Sequence, residues 1–423
     1  SQFFGFWFAM PEHPTGLSKN ANNDRLVWPR HTPLGEFSNN VAHSTSDNGL
    51  HVDDGANPDG SSTGYAYEPR QNPAVSSPPV TATFKNFTAY KTRTLGGWLR
   101  GSNLRLVGAK VADTVSSFIF AQGQILLQDS LVVGETNNKG NPASWEATGQ
   151  DGRSLPQPWN PHTPVTGFDF YDGPQGVQRV TFINFRSNAL RPAGALSYNP
   201  ENNAPIDVRN AVAGLHFINA NQVYLLTPSA DRDGGKQAMI YDSDGSLTGA
   251  TGQYVTAHSA LLATGACTLR QEWNAFVCPL RYGNFSFDAD SGERITPLTA
   301  ERDDGAMITL TGQSDSYAET AAIPGQNYVI HFGDSAPHSL QIDLQHLRAG
   351  DTVQLQLTYP AHAALTVYRD AAHSYVVSAA KSLVEFRAGN GDKYYYDAAS
   401  GTLYLLAVVR SGNDWTRINV EMG

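Results

Sequence analysis

The chain has 423 residues, enough for two or three domains or for one elongated solenoid followed by a domain. Only 16% of residues are charged, against 39 Gly and 24 Pro, a balance that suits many short strands joined by turns and excludes a helical bundle. A formal net charge of −10 disfavours nucleic acid as a partner, and any other polyanion would need a local basic patch or cations.

The chain opens on Phe3-Phe4-Gly5-Phe6-Trp7-Phe8, which reads as a strand inside a domain. With no signal peptide ahead of it, the N-terminus is expected to be a cut, with a further segment before it in the intact protein. Strand-like runs follow at 82–90, 104–111, 124–133, 177–185 and 214–226, and the first three are spaced by about twenty residues. That period predicts one coil of a parallel β-helix per repeat. Phe84-Lys85-Asn86, Phe182-Ile183-Asn184 and Phe217-Ile218-Asn219 are expected at equivalent places on different coils, each Phe inward. A large β-sandwich with coincidental phrases is the alternative. Insertions at 57–79 and 137–164 break the coils and are expected to shape a binding face. Trp145 and Trp159, in the second, are candidates for stacking on a ligand.

Cys267 and Cys278 are too far apart for a Cys-x-x-Cys metal motif. They read either as a short-loop disulfide or as two reduced core thiols. The texture changes near residue 305, where alternating runs at 306–310, 327–332, 339–344, 352–358, 365–368, 393–397 and 402–409 predict a small antiparallel sandwich. The longest apolar run, 403–409, is too short to span a bilayer.

The densest polar phrase lies at 33–55, where Asn39, Asn40, His43, His51, Asp53 and Asp54 sit among single spaced apolar residues. Alternation along a strand points Asp53 and Asp54 to opposite faces, so one of them can join His43 on a groove. Hydrolysis of a sugar bond usually needs a second carboxyl group, for which Glu12 and Glu36 are the nearby choices. The bland reading is that the Asn residues cap turns, His43 bonds within the stack, and Asp-Asp-Gly closes a turn.

Several phrases together resemble one known family. They are Gly5-Phe6-Trp7-Phe8 with Pro14-Thr15-Gly16, the 33–44 and 52–55 stretches, Ala89-Tyr90-Lys91 with Gly97-Trp98-Leu99-Arg100-Gly101, Gly152-Arg153-Ser154-Leu155-Pro156, and Tyr171-Asp172-Gly173-Pro174. Further along come Asp231-Arg232-Asp233-Gly234, Asp242-Ser243-Asp244-Gly245-Ser246, Tyr328-Val329-Ile330-His331 and Tyr394-Tyr395-Tyr396-Asp397. In this order they resemble the hyaluronan-binding and hyaluronan-depolymerising proteins typified by CEMIP and its cell-surface relative. The resemblance implies an all-β chain, a right-handed parallel β-helix over 1–305 followed by a β-sandwich over 306–423. It also implies an extracellular setting and hyaluronan as ligand or substrate. It places the family's activity mainly upstream of this chain. With that setting, Cys267 and Cys278 are expected to be bonded.

Two other constellations carry chemistry. Asp231, Asp233, Asp242 and Asp244 form two Asp-x-Asp phrases suited to Ca²⁺, although they lack the ligand spacing of an EF-hand. Lys91, Arg93, Arg100, Arg105 and Lys110 are the densest basic stretch; stacked on successive coils they would bind uronate carboxylates, with Tyr90 and Trp98 against sugar rings. Asn86 and Asn284 open formal glycosylation sequons, and the coil phrase around Asn86 favours a structural role for it.

The leading expectation is a secreted or cell-surface glycoside hydrolase acting on a hyaluronan-like polysaccharide. Asp53 and His43 would be catalytic, Asn39, Asn40, Trp98 and Arg100 would bind substrate, and Ca²⁺ would be the possible cofactor. The alternatives are a non-catalytic glycan-binding or adhesive β-helix, and a structural component of a surface assembly.

Overall fold

The structure is a computed structural model and describes residues 3–56, 61–137, 163–188, 191–204, 207–369 and 372–423. The first part is a parallel β-helix with three faces. A broad sheet runs in the order Phe6–Phe8, Leu50–Val52, Leu95–Arg100, Ser116–Ala121, Val165–Phe170 and Ala193–Tyr198. A long sheet holds Phe37–Ser38, Ala82–Lys85, Leu104–Val107, Ile125–Gln128, Gln175–Gln178 and Ala211–Ala213, and a narrow sheet holds Val41–His43, Thr88–Tyr90, Lys110–Ala112, Leu131–Val133, Thr181–Ile183 and His216–Ile218. Each coil passes from long to narrow to broad sheet, and every neighbouring pair among these strands is parallel.

Each run read as one strand is therefore two, bent at a corner. Asn39, Asn86, Gly108, Asp129, Arg179 and Gly214 occupy that corner in register, all with positive φ. Asn and Gly adopt this left-handed conformation at least cost. Asn86 donates to Asn39 Oδ1 at 3.1 Å, and Arg179 Nε donates to Asp129 Oδ1 at 2.6 Å, so side chains ladder along the corner. Asn184 and Asn219 ladder in the same way (2.8 Å) at the next corner, between narrow and broad sheets. The Phe-x-Asn phrases are thus not all equivalent. Phe182 and Phe217 pair in the narrow sheet, whereas Phe84 belongs to the long sheet. Phe84 and Phe182 are fully buried, and Phe217 is partly buried against the same core.

The broad sheet packs closest to the core. Gly49, Gly96, Ser117, Gly167 and Ala195 follow one another across it, and a Cβ on Gly96 would lie 2.5 Å from Ser117 O. Phe118, Phe120, Phe168 and Phe170 fill the interior beside them. The chain leaves the stack at both edges of this sheet: after Leu50–Val52 and Ala193–Tyr198 on one side, and between Leu131–Val133 and Val165–Phe170 on the other. The expected insertion at 137–164, with Trp145 and Trp159, falls almost wholly outside the described residues.

The long sheet continues through Met239–Asp242 into the antiparallel strands Gln253–Ala257, Ala275–Cys278 and Thr268–Arg270. Cys267 and Cys278 are disulfide-bonded there, as expected. A sandwich of five- and seven-stranded sheets with its own core follows. Its first strands are Gly283–Ala289 and Leu298–Arg302, which lie before the change of texture near 305. Their alternating pattern merges in sequence with the preceding strands, so the turn-rich stretch that follows marks the change late. Buried Asp233 joins the two parts by accepting from Thr311 N, Thr311 Oγ1 and Gly312 N (2.8–3.0 Å). Among the described residues no helix is long and apolar enough to cross a membrane.

Candidate functional site on the broad sheet

Outward side chains of the broad sheet line up strand by strand as Trp7, His51, Trp98, Ile119, Asp169 and Ser197. Asp53 lies just past the end of Leu50–Val52, and Arg100 ends the neighbouring strand. The Asp53 carboxylate is 5% exposed and takes four donors. Oδ1 accepts from Asp54 N (2.8 Å) and Tyr65 N (3.1 Å), and Oδ2 accepts from Trp98 Nε1 (2.8 Å) and Arg100 Nε (2.7 Å). Four donors fill the acceptor capacity of a carboxylate. Asp53 is therefore built to fix Trp98 and Arg100, and it has no lone pair left for proton transfer.

Arg100 keeps a quarter of its side chain exposed and lies 5.6 Å from the Trp98 ring centroid. Burial pulls its basicity down, but the charge and hydrogen bond of Asp53 outweigh this and hold it above its ordinary value. Tyr171 packs edge-on against Trp98 at 5.7 Å, and burial pushes its phenol up against the opposing pull of Arg100. Asp172 is also pushed up by burial, against hydrogen bonds from the backbone N–H groups of Gln122 and Gly173 and the charge of Arg100. The result is a guanidinium and two aromatic rings on one face, with Asp53 fixing the guanidinium and the Trp98 indole.

Two strands beyond Trp98, the row reaches Asp169. Its Oδ2 contacts Ser116 Oγ (2.7 Å) and Thr166 Oγ1 (3.0 Å), while its Oδ1 is buried without a hydrogen-bond partner. Burial pushes the carboxyl up to about 7, only partly offset by the two hydroxyls. Asp169 lines a cavity of about 340 Å³ with Leu95, Ile119, Pro164, Glu201 and Leu226.

The other expected site residues lie elsewhere. His43 is on the outer side of the narrow sheet, stacked on Tyr90 at 5.0 Å, and does not share a face with Asp53. Asn39 turns the corner between long and narrow sheets, and Asn40 there takes Thr88 N on its carbonyl (2.9 Å). His51 is on the broad sheet but buried, held by Asn48 (2.8 Å) and stacked on Phe4. Glu12 pairs with Arg30 (3.7 Å), and Glu36 accepts from Ser38 Oγ (2.8 Å). Arg105 and Lys110 are exposed on the long and narrow sheets, and Lys91 turns the corner after the narrow one, so the basic stretch divides among faces. One phrase of twenty residues passes through all three sheets, which is why proximity in sequence misplaced these groups.

The four Asp residues expected to hold Ca²⁺ do not converge. Besides Asp233 at the junction, Asp242 accepts from Gly245 N (2.9 Å), Leu247 N (3.2 Å) and Thr248 N (2.7 Å), and Asp244 accepts from Gly214 N (2.7 Å) and Ser246 N (3.0 Å). Asp231 is exposed and bonds Ser229. Their oxygens close turns with the chain's own N–H groups, which does not fit an ion site. Among the described residues no three His, Cys, Asp or Glu side chains gather as metal ligands would. Asn284 is tied to Glu319 Oε1 (2.7 Å) and Val208 N (3.3 Å), positions that leave its sequon unsuited to a glycan.

Asp169 and Tyr171 were not singled out from the sequence as site residues. The available signal for Asp169 was a lone acid between phenylalanines, Phe168-Asp169-Phe170, in an otherwise apolar strand.

A parallel β-helix with an arginine and aromatic rings on the outer face of its broad sheet defines the class of protein. The pattern of the CEMIP beta-helix family matches residues 1–50. Nearly the whole chain, 96%, aligns at 28% identity with the cell migration-inducing and hyaluronan-binding protein of Mus musculus, covering 33% of that protein. The cell surface hyaluronidase CEMIP2 of Homo sapiens aligns over 97% of this chain and 33% of its own length at 27% identity. Fibrocystin-L of Mus musculus aligns over 76% of this chain and 7% of its own length at 25% identity. The family resemblance read in the sequence is thus borne out along almost the entire chain. The chain spans about a third of the length of the first two relatives.

Proposed function

We propose that this chain binds a hyaluronan-like glycosaminoglycan along the outer face of the broad sheet and takes part in its hydrolysis. The observation that carries the reading is the Asp53–Arg100–Trp98 arrangement: a guanidinium fixed through Nε, with its remaining N–H groups beside an indole on a partly exposed face. Such a guanidinium suits the carboxylate of a uronic acid, and the rings suit the apolar side of a sugar. Similarity to proteins named as hyaluronan-binding and as cell surface hyaluronidase points to the same ligand. The disulfide agrees with a secreted or cell-surface setting.

The test is direct: hyaluronan fragments are titrated into the chain by calorimetry, and reducing ends are assayed in parallel. Binding with release of ends supports the full reading. Binding without release leaves a glycan-binding module, the second reading, which the saturated carboxylate of Asp53 favours. Absence of binding at low salt overturns both.

A further inference from the structure

A cavity over the broad sheet, lined by Leu95, Ser116, Ile119, Thr166 and Asp169, holds a carboxyl group in an unusual state of satisfaction. Asp169 is 6% exposed, and among the described residues its Oδ1 has no hydrogen-bond partner. An ionised carboxylate left in this state costs several kcal/mol, so a buried acid of this kind keeps its proton. Ser116 Oγ and Thr166 Oγ1 both lie on Oδ2, and Thr166 Oγ1 is also 2.8 Å from Ser116 Oγ, so the two hydroxyls and Oδ2 form one cluster that leaves Oδ1 outside it.

The surroundings are those of a ligand cavity. Its volume, about 340 Å³, falls in the range of small-ligand sites, and its walls are largely apolar. Trp98, Ile119 and Asp169 stand in register on consecutive strands, so Asp169 is roughly 10 Å along the stack from Trp98. A chain of sugars held by Arg100 and Trp98 therefore runs toward it. Glu201, the other acid on the cavity wall, is in a different environment: its side chain is 78% exposed, 3.7 Å from Arg232. Two carboxyl groups in contrasting surroundings, one buried and one solvated, are the usual equipment for glycoside hydrolysis.

We infer that Asp169 is the proton donor for cleavage of the glycosidic bond, with Glu201 as the base that activates water. The inference rests on the glycan-hydrolysing reading above and adds its catalytic groups. As the bond between anomeric carbon and bridging oxygen breaks, that oxygen takes the proton from the Asp169 carboxyl group. A water oxygen bonds to the anomeric carbon and gives its proton to the Glu201 carboxylate. Asp169, now ionised, retains its two hydroxyl donors, and solvent carries the proton from Glu201 back to it. Ser116 and Thr166 are positioning residues. The other titratable groups near Asp169 are Glu201 and Tyr198 on the cavity wall, and Tyr171 and Asp172 at the end of its own strand.

The experiment compares the whole chain with Asp169→Asn and Glu201→Gln, measuring reducing ends from hyaluronan across pH 5–9 and affinity by calorimetry. The expected result is a loss of kcat of at least 100-fold in Asp169→Asn, with affinity kept within twofold. In the unsubstituted chain kcat/KM is expected to fall tenfold per pH unit above about 7. If Asp169→Asn cleaves within threefold of the parent, the proton-donor assignment is overturned while the hydrolytic reading stands. If the parent binds hyaluronan and releases no ends at any pH, both are overturned and only binding remains. Should Asp169→Asn fail to fold, the parent's own profile decides: a rate that does not decline between pH 6 and 9 overturns the assignment.

Discussion

Arg100 Nε lies 2.7 Å from Asp53 Oδ2, although 47 positions separate the two in sequence. One coil of the helix brings the end of Leu50–Val52 beside Leu95–Arg100, and a carboxylate with four donors then holds the guanidinium in place. Asp53 thereby supports Arg100 and Trp98 electrostatically, and the arginine is the group proposed to meet a ligand.

Removing that support is expected to cost both stability and affinity. Asp53→Asn keeps the shape but turns two of its accepted bonds into donor–donor contacts, at about 1–3 kcal/mol in urea unfolding. Hyaluronan affinity is expected to fall as well, because Arg100 is no longer held.

Arg100→Ala is expected to weaken hyaluronan binding at least tenfold at low salt, with the difference shrinking as salt rises. Arg100→Lys is expected not to restore it, since an ammonium lacks the planar fork that bonds Asp53 through Nε and leaves the terminal N–H groups for bidentate contact with a ligand carboxylate. Calorimetric titrations at two ionic strengths check both.

The raised pKa of Asp169 makes stability depend on pH. Its folded value of about 7 lies above the unfolded value of about 3.9, so between the two the folded state binds more protons. Its contribution is full below about pH 4 and is lost as pH rises through about 7, on the order of 4 kcal/mol at most. Urea unfolding at pH 4.5 and pH 8 is expected to show a smaller drop in Asp169→Asn than in the parent. Other buried acids, Asp172 and Glu319, titrate in both proteins and cancel in the comparison.

Cys267–Cys278 closes a loop of 11 residues between paired antiparallel strands. Replacing both with Ala is expected to cost about 2–3 kcal/mol, read as a lower urea midpoint. Reduction without substitution is expected to give a similar shift.

Asp233 and Asp242 are satisfied by the chain's own donors. Chelator is therefore expected to leave the melting curve unchanged, and Asp233→Ala to lower it by about 2–4 kcal/mol through loss of the junction. A chelator-dependent drop would show that these acids do hold an ion.

How much of this was legible follows from particular residues. The apolar runs of the long and narrow sheets, such as Leu104–Val107 with Lys110–Ala112, were visible as strands because they alternate. The bend within each run was not, since Asp129 and Arg179 adopt the left-handed corner without the Gly or Asn that normally announces it. Strands of the broad sheet were hidden because small residues fill them: Gly96, Gly97, Ser116, Ser117 and Gly167 read as turns until close stacking explains them. The sequence offers Arg100 and Trp98 as candidate binding groups, but their link to Asp53 is a contact between coils. Asp169 stayed hidden because one acid in a buried strand looks like an interruption, and its state depends on one hydroxyl of its own strand and one from the neighbouring strand.

Whether the broad sheet carries the glycan is read most directly from amide and indole chemical shifts of the chain titrated with a hyaluronan hexasaccharide. The largest changes are expected at the Trp98 indole N–H, the Arg100 side chain and the amides of Ser116–Ala121 and Val165–Phe170. Changes confined to Val41–His43, Thr88–Tyr90 and Lys110–Ala112, on the narrow sheet, would contradict this placement.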